Sequence, residues 1–190
     1  MEIALFVILG LVVVVVVYGI SIYNGLVSLK HGVDKAWSNI DVLLKQRHDE
    51  LPKLVETCKQ YMQHEQETLE MVIKARSGVS EARESGDIAA LGVAEGLLRK
   101  GLGGLFAVAE AYPDLKADAS FQQLQQRISA LEESIADRRE FYNDSVNNNN
   151  VRIEQFPDVL IARQFGFQSA QLLDFDESET NAVDIKALFN

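Results

Sequence analysis

The apolar residues of this chain follow two patterns, and one gives way to the other near Tyr23. From Ile3 to Tyr23 the residues are apolar or small, apart from two tyrosines, with no charge and no proline. About 20 such residues let an α-helix cross the hydrocarbon core, because a helix satisfies its own backbone hydrogen bonds in lipid. The pattern therefore predicts a transmembrane anchor (1–23), a water-exposed helical part (24–173) and an acidic tail (174–190).

After the anchor, apolar positions recur at alternating spacings of three and four residues, which is typical of a packed helix with coiled-coil character. The pattern predicts one long helix from the anchor to about Ser77, in which Pro52 produces a kink rather than an end. A second helix is predicted over 88–111. Gly86 and Asp87 precede it, as a left-handed residue and an N-cap.

Proline and glycine positions divide the rest of the chain. A third long helix is predicted after Pro113, capped by Asp118 or Ser120 and running to Ile153, and a short helix over 158–164. The asparagines 147–150 inside the third helix are either a frayed turn or buried amides that hydrogen-bond across helices. The predicted fold is all-α, with the transmembrane helix continuing into a long helix of an antiparallel helical bundle that has three long helices and a short C-terminal one.

A cleaved signal peptide is the alternative to an anchor. Met1 and Glu2 supply no basic start, the apolar run is too long, and no small-x-small site closes it. The basic residues near the span follow it, beginning with Lys30 and Lys35, and such residues stay on the cytoplasmic side. We therefore expect a single-pass protein of the cytoplasmic membrane, with a short N-terminus outside and the C-terminal domain in the cytoplasm.

Charge narrows the range of partners. The formal net charge of -10 over 190 residues argues against nucleic acid, whose phosphates require a basic face. The tail is rich in aspartate and glutamate, which is typical of a solvated, mobile segment. It also contains a small apolar cluster that suits docking to a protein partner, formed by Val183, Ile185, Leu188 and Phe189.

Catalytic and metal-binding patterns are weak. None of His31, His48 and His64 has a glutamate three residues before it, so the metal signature of four-helix bundles is missing. His64 is predicted to be an ordinary helix residue. Cys58 falls on the apolar seam, where a cysteine is usually a small buried hydrophobe. We therefore expect no enzymatic activity, no metal and no cofactor.

Two stretches are candidates for interaction surfaces. Small residues repeat at four-residue spacing where the anchor leaves the bilayer, a spacing that lets helices approach closely and favours self-association; they are Ser21, Gly25, Ser28 and Gly32. A glycine-rich stretch around Arg99 and Lys100 suits shallow insertion into a membrane interface, with core packing as the alternative. Its apolar members are Leu97, Leu98, Leu102, Leu105 and Phe106.

Several segments together resemble the LemA family: residues 23–27, Ala36–Arg47, Leu51–Val55, Ala109–Ala117 and Arg138–Asn143. The resemblance runs from the anchor to Phe167 and leaves the acidic tail outside. It implies a cytoplasmic antiparallel helical bundle on one N-terminal span of a bacterial membrane, with no established catalytic activity and with some relatives linked to internal membrane compartments. The glycines of the second helix and the asparagine run depart from the family pattern.

Two functions fit these features. The first is a structural protein that self-assembles as a homo-oligomer at the membrane, contacts lipid and shapes or organises the bilayer. The second is a membrane-tethered adaptor, whose bundle and acidic tail recruit a protease or a signalling partner.

Overall fold

The computed structural model describes residues 1–174, and the predicted cluster at 183–189 lies outside them. This part of the chain is helical and contains no strand. It forms six helices: α1 (Glu2–Tyr61), α2 (Gln66–Ser85), α3 (Ile88–Ala109), α4 (Pro113–Ala117), α5 (Ala119–Glu154) and α6 (Asp158–Phe165). The all-α class and the continuation of the apolar span into a long helix are confirmed. The number of long helices is four rather than three.

The prediction that the first helix runs to about Ser77 is wrong, because α1 ends at Tyr61. The amide of Met62 still donates to the carbonyl of Cys58, at 2.8 Å, and Glu65 then leaves the helical conformation. Beyond this turn α2 runs back along α1. Arg76 pairs with His48 of α1, and Arg83, farther along α2, pairs with the earlier residue Asp41. The two helices are therefore antiparallel. The turn lets Leu69 and Val72 become buried.

The helix α1 continues through Pro52, as predicted. Proline has no amide hydrogen, so the carbonyl of His48, four residues earlier, loses its intrahelical donor. Arg76 of α2 supplies the replacement: its Nε donates to that carbonyl at 3.0 Å. Its Nη2 lies 2.6 Å from Nε2 of His48. The break made by the proline is thus closed by a neighbouring helix.

The predicted caps between α2 and α3 are confirmed. Gly86 adopts a left-handed conformation with φ of 70°, and the carboxylate of Asp87 accepts from the amide of Ala90 at 2.9 Å. The two helices pack antiparallel. Gly101 faces Val72, while Gly78 faces Ala94 near the connection.

The helix α5 also runs antiparallel to α1. Tyr61 pairs with Asp118, which precedes α5, and Glu50 pairs with Arg127 farther along it. Of the two predicted caps, Asp118 is the one that accepts, from the amide of Phe121 at 2.9 Å. This hydrogen bond lowers the pKa of Asp118. Four antiparallel helical segments therefore surround the core of one compact unit, which comprises Ile40–Arg139 and, at the end of the described chain, residues 172–174.

The other compact unit comprises Met1–Asn39 and Glu140–Gln171. Here the end of α5 lies beside α1, with the rings of Trp37 and Tyr142 5.6 Å apart. A small apolar core is formed by residues of α1, α5 and α6: Ile22, Leu26, Ile153 and Ala162, with Ile161 and Phe167 packed against it. The predicted short helix and its left-handed end at Gly166 are confirmed.

The glycines of α3 differ in what surrounds them. A Cβ atom at Gly92 would lie 2.0 Å from the carbonyl oxygen of Asp174, whereas one at Gly103 or Gly104 would meet nothing within 4 Å. Gly92 therefore has a packing reason to lack a side chain, because the chain passes directly over it, whereas Gly103 and Gly104 have none.

We expect Gly92→Ala to destabilise the protein by about 1–3 kcal/mol, because the 172–174 segment must move away from α3. The matched change Gly103→Ala should stabilise it by up to about 1 kcal/mol, through helix propensity alone. Urea unfolding in mild detergent, followed by circular dichroism, measures both. Equal effects of the same sign would contradict this explanation.

We expect Arg76→Met to cost about 1–3 kcal/mol, since the His48 carbonyl then loses its donor. In a Pro52→Ala background the new amide serves that carbonyl, so the same substitution should cost clearly less. A double-mutant cycle on the unfolding free energies gives the coupling between the two residues. Additive effects would show that Arg76 does not compensate for the proline.

Candidate membrane-exit and self-association site

The predicted self-association residues lie on one stripe of α1 where it leaves the apolar run. Ser21, Gly25, Ser28 and Gly32 follow one another at spacings of four, three and four residues, which places them on one face of a helix. Gly25 is half-buried and the other three are exposed. A Cβ atom at Gly25 or Gly32 would meet no heavy atom within 4 Å. The chain therefore leaves this small-residue stripe open to a second helix.

A second feature of the same unit is a collar, which we define as α6 together with residues 166–171. The side-chain amide of Asn150 on α5 donates to the carbonyl of Ala170 and accepts from its amide, both at 2.9 Å. Tyr142 also donates to the carbonyl of Gln171, at 2.9 Å. These bonds fix the backbone that follows α6.

The asparagine run thus has a structural role. Residues 147–150 remain helical, so the frayed-turn alternative is wrong, and Asn149 is buried. The alternative of buried amides that hydrogen-bond across helices is wrong as well, because Asn149 bonds to Asn150 on the same helix and Asn150 is only half-buried. The partner of Asn150 is the main chain after α6, and not a side chain on another helix.

The collar contacts α1 at the last turns of the apolar run. The Cδ1 atom of Ile161 lies 3.9 Å from the position of a Cβ on Gly19. The ring of Tyr23 meets Phe165 edge-on, with centroids 4.9 Å apart, and Phe167 at 5.8 Å. The level of the collar along α1 is therefore set by its contacts with the last residues of the apolar run.

Three of the five residues of α3 that were predicted to contact a membrane interface are buried instead. Leu98, Leu102 and Leu105 are buried in the core of their unit, so the prediction is wrong for them. They form the apolar face that any bundle helix must bury, which was the alternative. Leu97 is 55% exposed and Phe106 is half-buried. For these two, membrane contact stays a prediction.

A buried ionic layer was not predicted. Arg47 is 1% exposed, and its guanidinium holds two carboxylates, with Nη2 bound to Glu95 and Nη1 2.6 Å from Glu132. Glu95 is 3% exposed. The Nε atom of Arg47 has no hydrogen-bond partner among residues 1–174. Arg47 therefore joins α1, α3 and α5, and Glu132 also lies 3.7 Å from Nε of Arg99 on α3.

Burial and ion pairing oppose each other in this layer. Burial disfavours the charge on Arg47, yet Glu95 and Glu132 outweigh it and the pKa of Arg47 is raised. Burial also raises the pKa of Glu95, although the Arg47 charge opposes the change. Arg47 therefore stays protonated, and its charge opposes the effect of burial on the pKa of Glu95. Such a layer costs desolvation energy and is strongly weakened when one partner is removed.

The sequence does contain a signal for this layer. Each of three apolar seams carries one charged residue between two buried aliphatic ones. Arg47 lies between Leu44 and Leu51, Glu95 between Leu91 and Leu98, and Glu132 between Ile128 and Ile135. Opposite charges at seam positions of different helices indicate that the helices meet there.

The structure also places the cysteine and two of the histidines. Cys58 is buried, as predicted, and burial raises the pKa of its thiol to about 11, so it is protonated near neutral pH. Burial and the neighbouring Arg76 lower the pKa of His48. His64 lies in the exposed turn after α1, so its prediction as a helix residue is wrong. Within residues 1–174, no group of three or more His, Cys, Asp or Glu could hold a metal ion.

Comparison with known proteins places this geometry in context. The sequence profile of the LemA family matches residues 36–187, so it begins after the span and includes most of the acidic tail. The expectation that the tail lies outside the resemblance is therefore wrong. The chain is also similar to the magnetosome proteins MamQ 1 and MamQ 2 of Paramagnetospirillum magneticum. Each is 26% identical, over 78% of this chain and 63% of the relative's own length.

We expect Arg47→Met to destabilise the protein by about 3–5 kcal/mol, because it leaves the buried carboxylate of Glu95 without its ion-pair partner. Adding Glu95→Gln and Glu132→Gln should recover much of that loss by removing both charges. The measurement is urea unfolding in detergent.

The control is Arg83→Met, which removes a more exposed pair with Asp41 and should cost no more than about 1 kcal/mol. An Arg47→Met cost as small as that of the control would show that the buried layer contributes little.

Proposed function

The chain belongs to the LemA family, and we propose that it is a non-catalytic, membrane-anchored protein that self-assembles and shapes or organises the bilayer. The observation that carries the proposal is that the apolar run of α1 is long and exposed. The helix α1 contains an 18-residue window with a mean hydropathy of 3.2, and none of that window is buried by the rest of residues 1–174. Only lipid or other apolar helices can cover such a surface in water.

The small-residue stripe supports the self-assembly part of the proposal. It continues directly from the apolar run on the same helix, and its two glycines are open on the outside. Small residues let helix backbones approach closely, and without a hydrophobic driving force in lipid this packing decides which helices associate. Two copies of the stripe fit this mode of contact. The result is a homo-oligomer whose contact begins inside the bilayer.

The location follows from the same helix. We place the span in a bacterial cytoplasmic membrane, with the helical domain on the cytoplasmic side, since Lys30, Lys35 and Lys45 follow the span closely. From the magnetosome relatives we carry over only an association with membranes, because the chain covers less than two thirds of their length. Cys58, buried and with a raised pKa, supports the non-catalytic part of the proposal.

We expect Gly25→Leu and Gly32→Leu to weaken self-association at least about tenfold, which corresponds to about 1.4 kcal/mol, because a branched side chain holds the backbones apart. Subunit counting by single-molecule photobleaching in liposomes measures this, and electron microscopy of the same liposomes reports bilayer shape. The matched control is Gly103→Leu, the same change at an open glycine of α3. A wild-type protein that stays monomeric at every protein-to-lipid ratio would contradict the proposal.

Removal of residues 176–190 separates this function from that of an adaptor. The truncation keeps Leu173, which is buried, and Asp174, which lies against Gly92. An assembly driven by the stripe persists without the tail. If the truncation abolished assembly and the glycine substitutions left it intact, the interaction surface would instead lie in the tail.

A further inference from the structure

The collar and the turn before it expose large apolar side chains that the rest of residues 1–174 does not cover. Phe156, in the turn before α6, is 80% exposed, Leu160 of α6 is 59% exposed, and Phe165 at its end is 60% exposed. Three such residues lie within ten positions, on α6 and the turn that leads into it. Water-exposed apolar surfaces of this kind mark interaction sites rather than ordinary solvated faces.

The level of this surface along α1 is fixed by direct contacts. The collar touches α1 at Gly19 and Tyr23 and packs on Ile22 and Leu26. Tyr23 is the last residue of the apolar run, and Gly19 lies four residues inside it, which is about 6 Å along a helix. The collar therefore extends alongside the part of α1 that passes from hydrocarbon to headgroups.

We propose that α6 and the Phe156 turn are an interfacial membrane contact, inserted at the boundary between headgroups and acyl chains in the leaflet from which the domain emerges. Interfacial helices bury their apolar face about 5–10 Å into this boundary, which matches the depth set by Gly19. The inference rests on the span lying in a bilayer, but it does not require self-assembly.

Lipid fits this surface better than a protein partner does, because the surface continues directly into the uncovered apolar run. The polar side of the collar suits headgroups as well. Arg163 on α6 is exposed, and a groove of about 520 Å³ beside α6 is lined by Lys30 and Tyr23. Basic side chains next to aromatic rings are the usual composition of an interfacial layer, in which the cations meet lipid phosphates.

The collar is also held in place without lipid. Asn150 clamps the main chain of Ala170, and Arg152 pairs with the buried carboxylate of Asp158 at the start of α6. A preformed element pays little ordering entropy on insertion, unlike a segment that must fold at the membrane. The exposed side chains are thus presented to the bilayer at a fixed position.

The test is quenching of tryptophan emission in liposomes by lipids that carry bromine near the start of their acyl chains. The full-length protein first receives Trp37→Phe, which removes its one tryptophan. Reporters are then introduced singly. Leu160→Trp probes the collar, with Phe156→Trp as a conservative aromatic exchange in case the first variant folds poorly. Val42→Trp is the matched control, since Val42 is 54% exposed and lies on α1 19 residues beyond Tyr23, and Val14→Trp reports the span.

We expect at least about twofold quenching at positions 156 and 160, close to that of the span reporter, and little at position 42. Quenching at Val14→Trp without quenching at positions 156 and 160 overturns the inference while leaving the anchor in place. Absence of quenching at all positions overturns both. Blue-shifted emission at position 160 that bromine does not quench would mean that protein covers the surface. Equal quenching at positions 42 and 160 would mean that the whole domain lies on the bilayer. Either of these results overturns the inference.

Discussion

The structure depends on one constraint, which is that the rest of residues 1–174 leaves the apolar N-terminal part of α1 uncovered. Valine, leucine, isoleucine and phenylalanine each favour insertion by a few tenths of a kcal/mol at the bilayer centre, so the run from Ile3 to Tyr23 sums to several kcal/mol. Its backbone is already satisfied by the helix. On the proposed insertion, the bilayer fixes the depth of Tyr23, and every element that contacts α1 near this residue takes its level from it. The collar and the small-residue stripe are the two elements concerned.

The unit that begins at Ile40 is organised by a different interaction. An apolar core of leucines would allow several helix registers, because leucine fits against leucine at many offsets. Arg47 satisfies Glu95 and Glu132 only when α1, α3 and α5 meet at one level. Because removing these charges from water costs desolvation energy, the layer contributes little net stability. A bundle with misaligned helices, however, would bury unpaired charge. We interpret the layer as a device that selects one register among apolar alternatives.

Local sequence signals predicted much of this fold and failed where distant contacts decide. The seams, the caps at Gly86 and Asp87 and the end at Gly166 depend on neighbouring residues, and the structure confirms them. The end of α1 at Tyr61 was missed because Met62 and Leu69 are seven residues apart. This spacing fits one continuous helix, and it equally fits two antiparallel helices joined by a short turn.

The candidate sites show the same limit. Leu98 and Leu105 have the pattern of an interfacial helix, and the same pattern serves a bundle core. Only their neighbours in the fold separate the two uses. Gly92 resembles the other glycines of α3 until the backbone of Asp174 is placed above it. The exposed side of α6 could be recognised only once Ile161 and Phe165 were located against the end of the span.

Hydrogen–deuterium exchange of the protein in lipid nanodiscs, read by mass spectrometry, tests the central claim most directly. If α1 crosses the bilayer and leaves it as an unbroken helix held by the collar, the amides from Ile3 to Val33 exchange slowly without a gap. Rapid exchange between Ile3 and Tyr23, at the rate of a solvated helix, or a fast-exchanging joint just after Tyr23, would contradict the account.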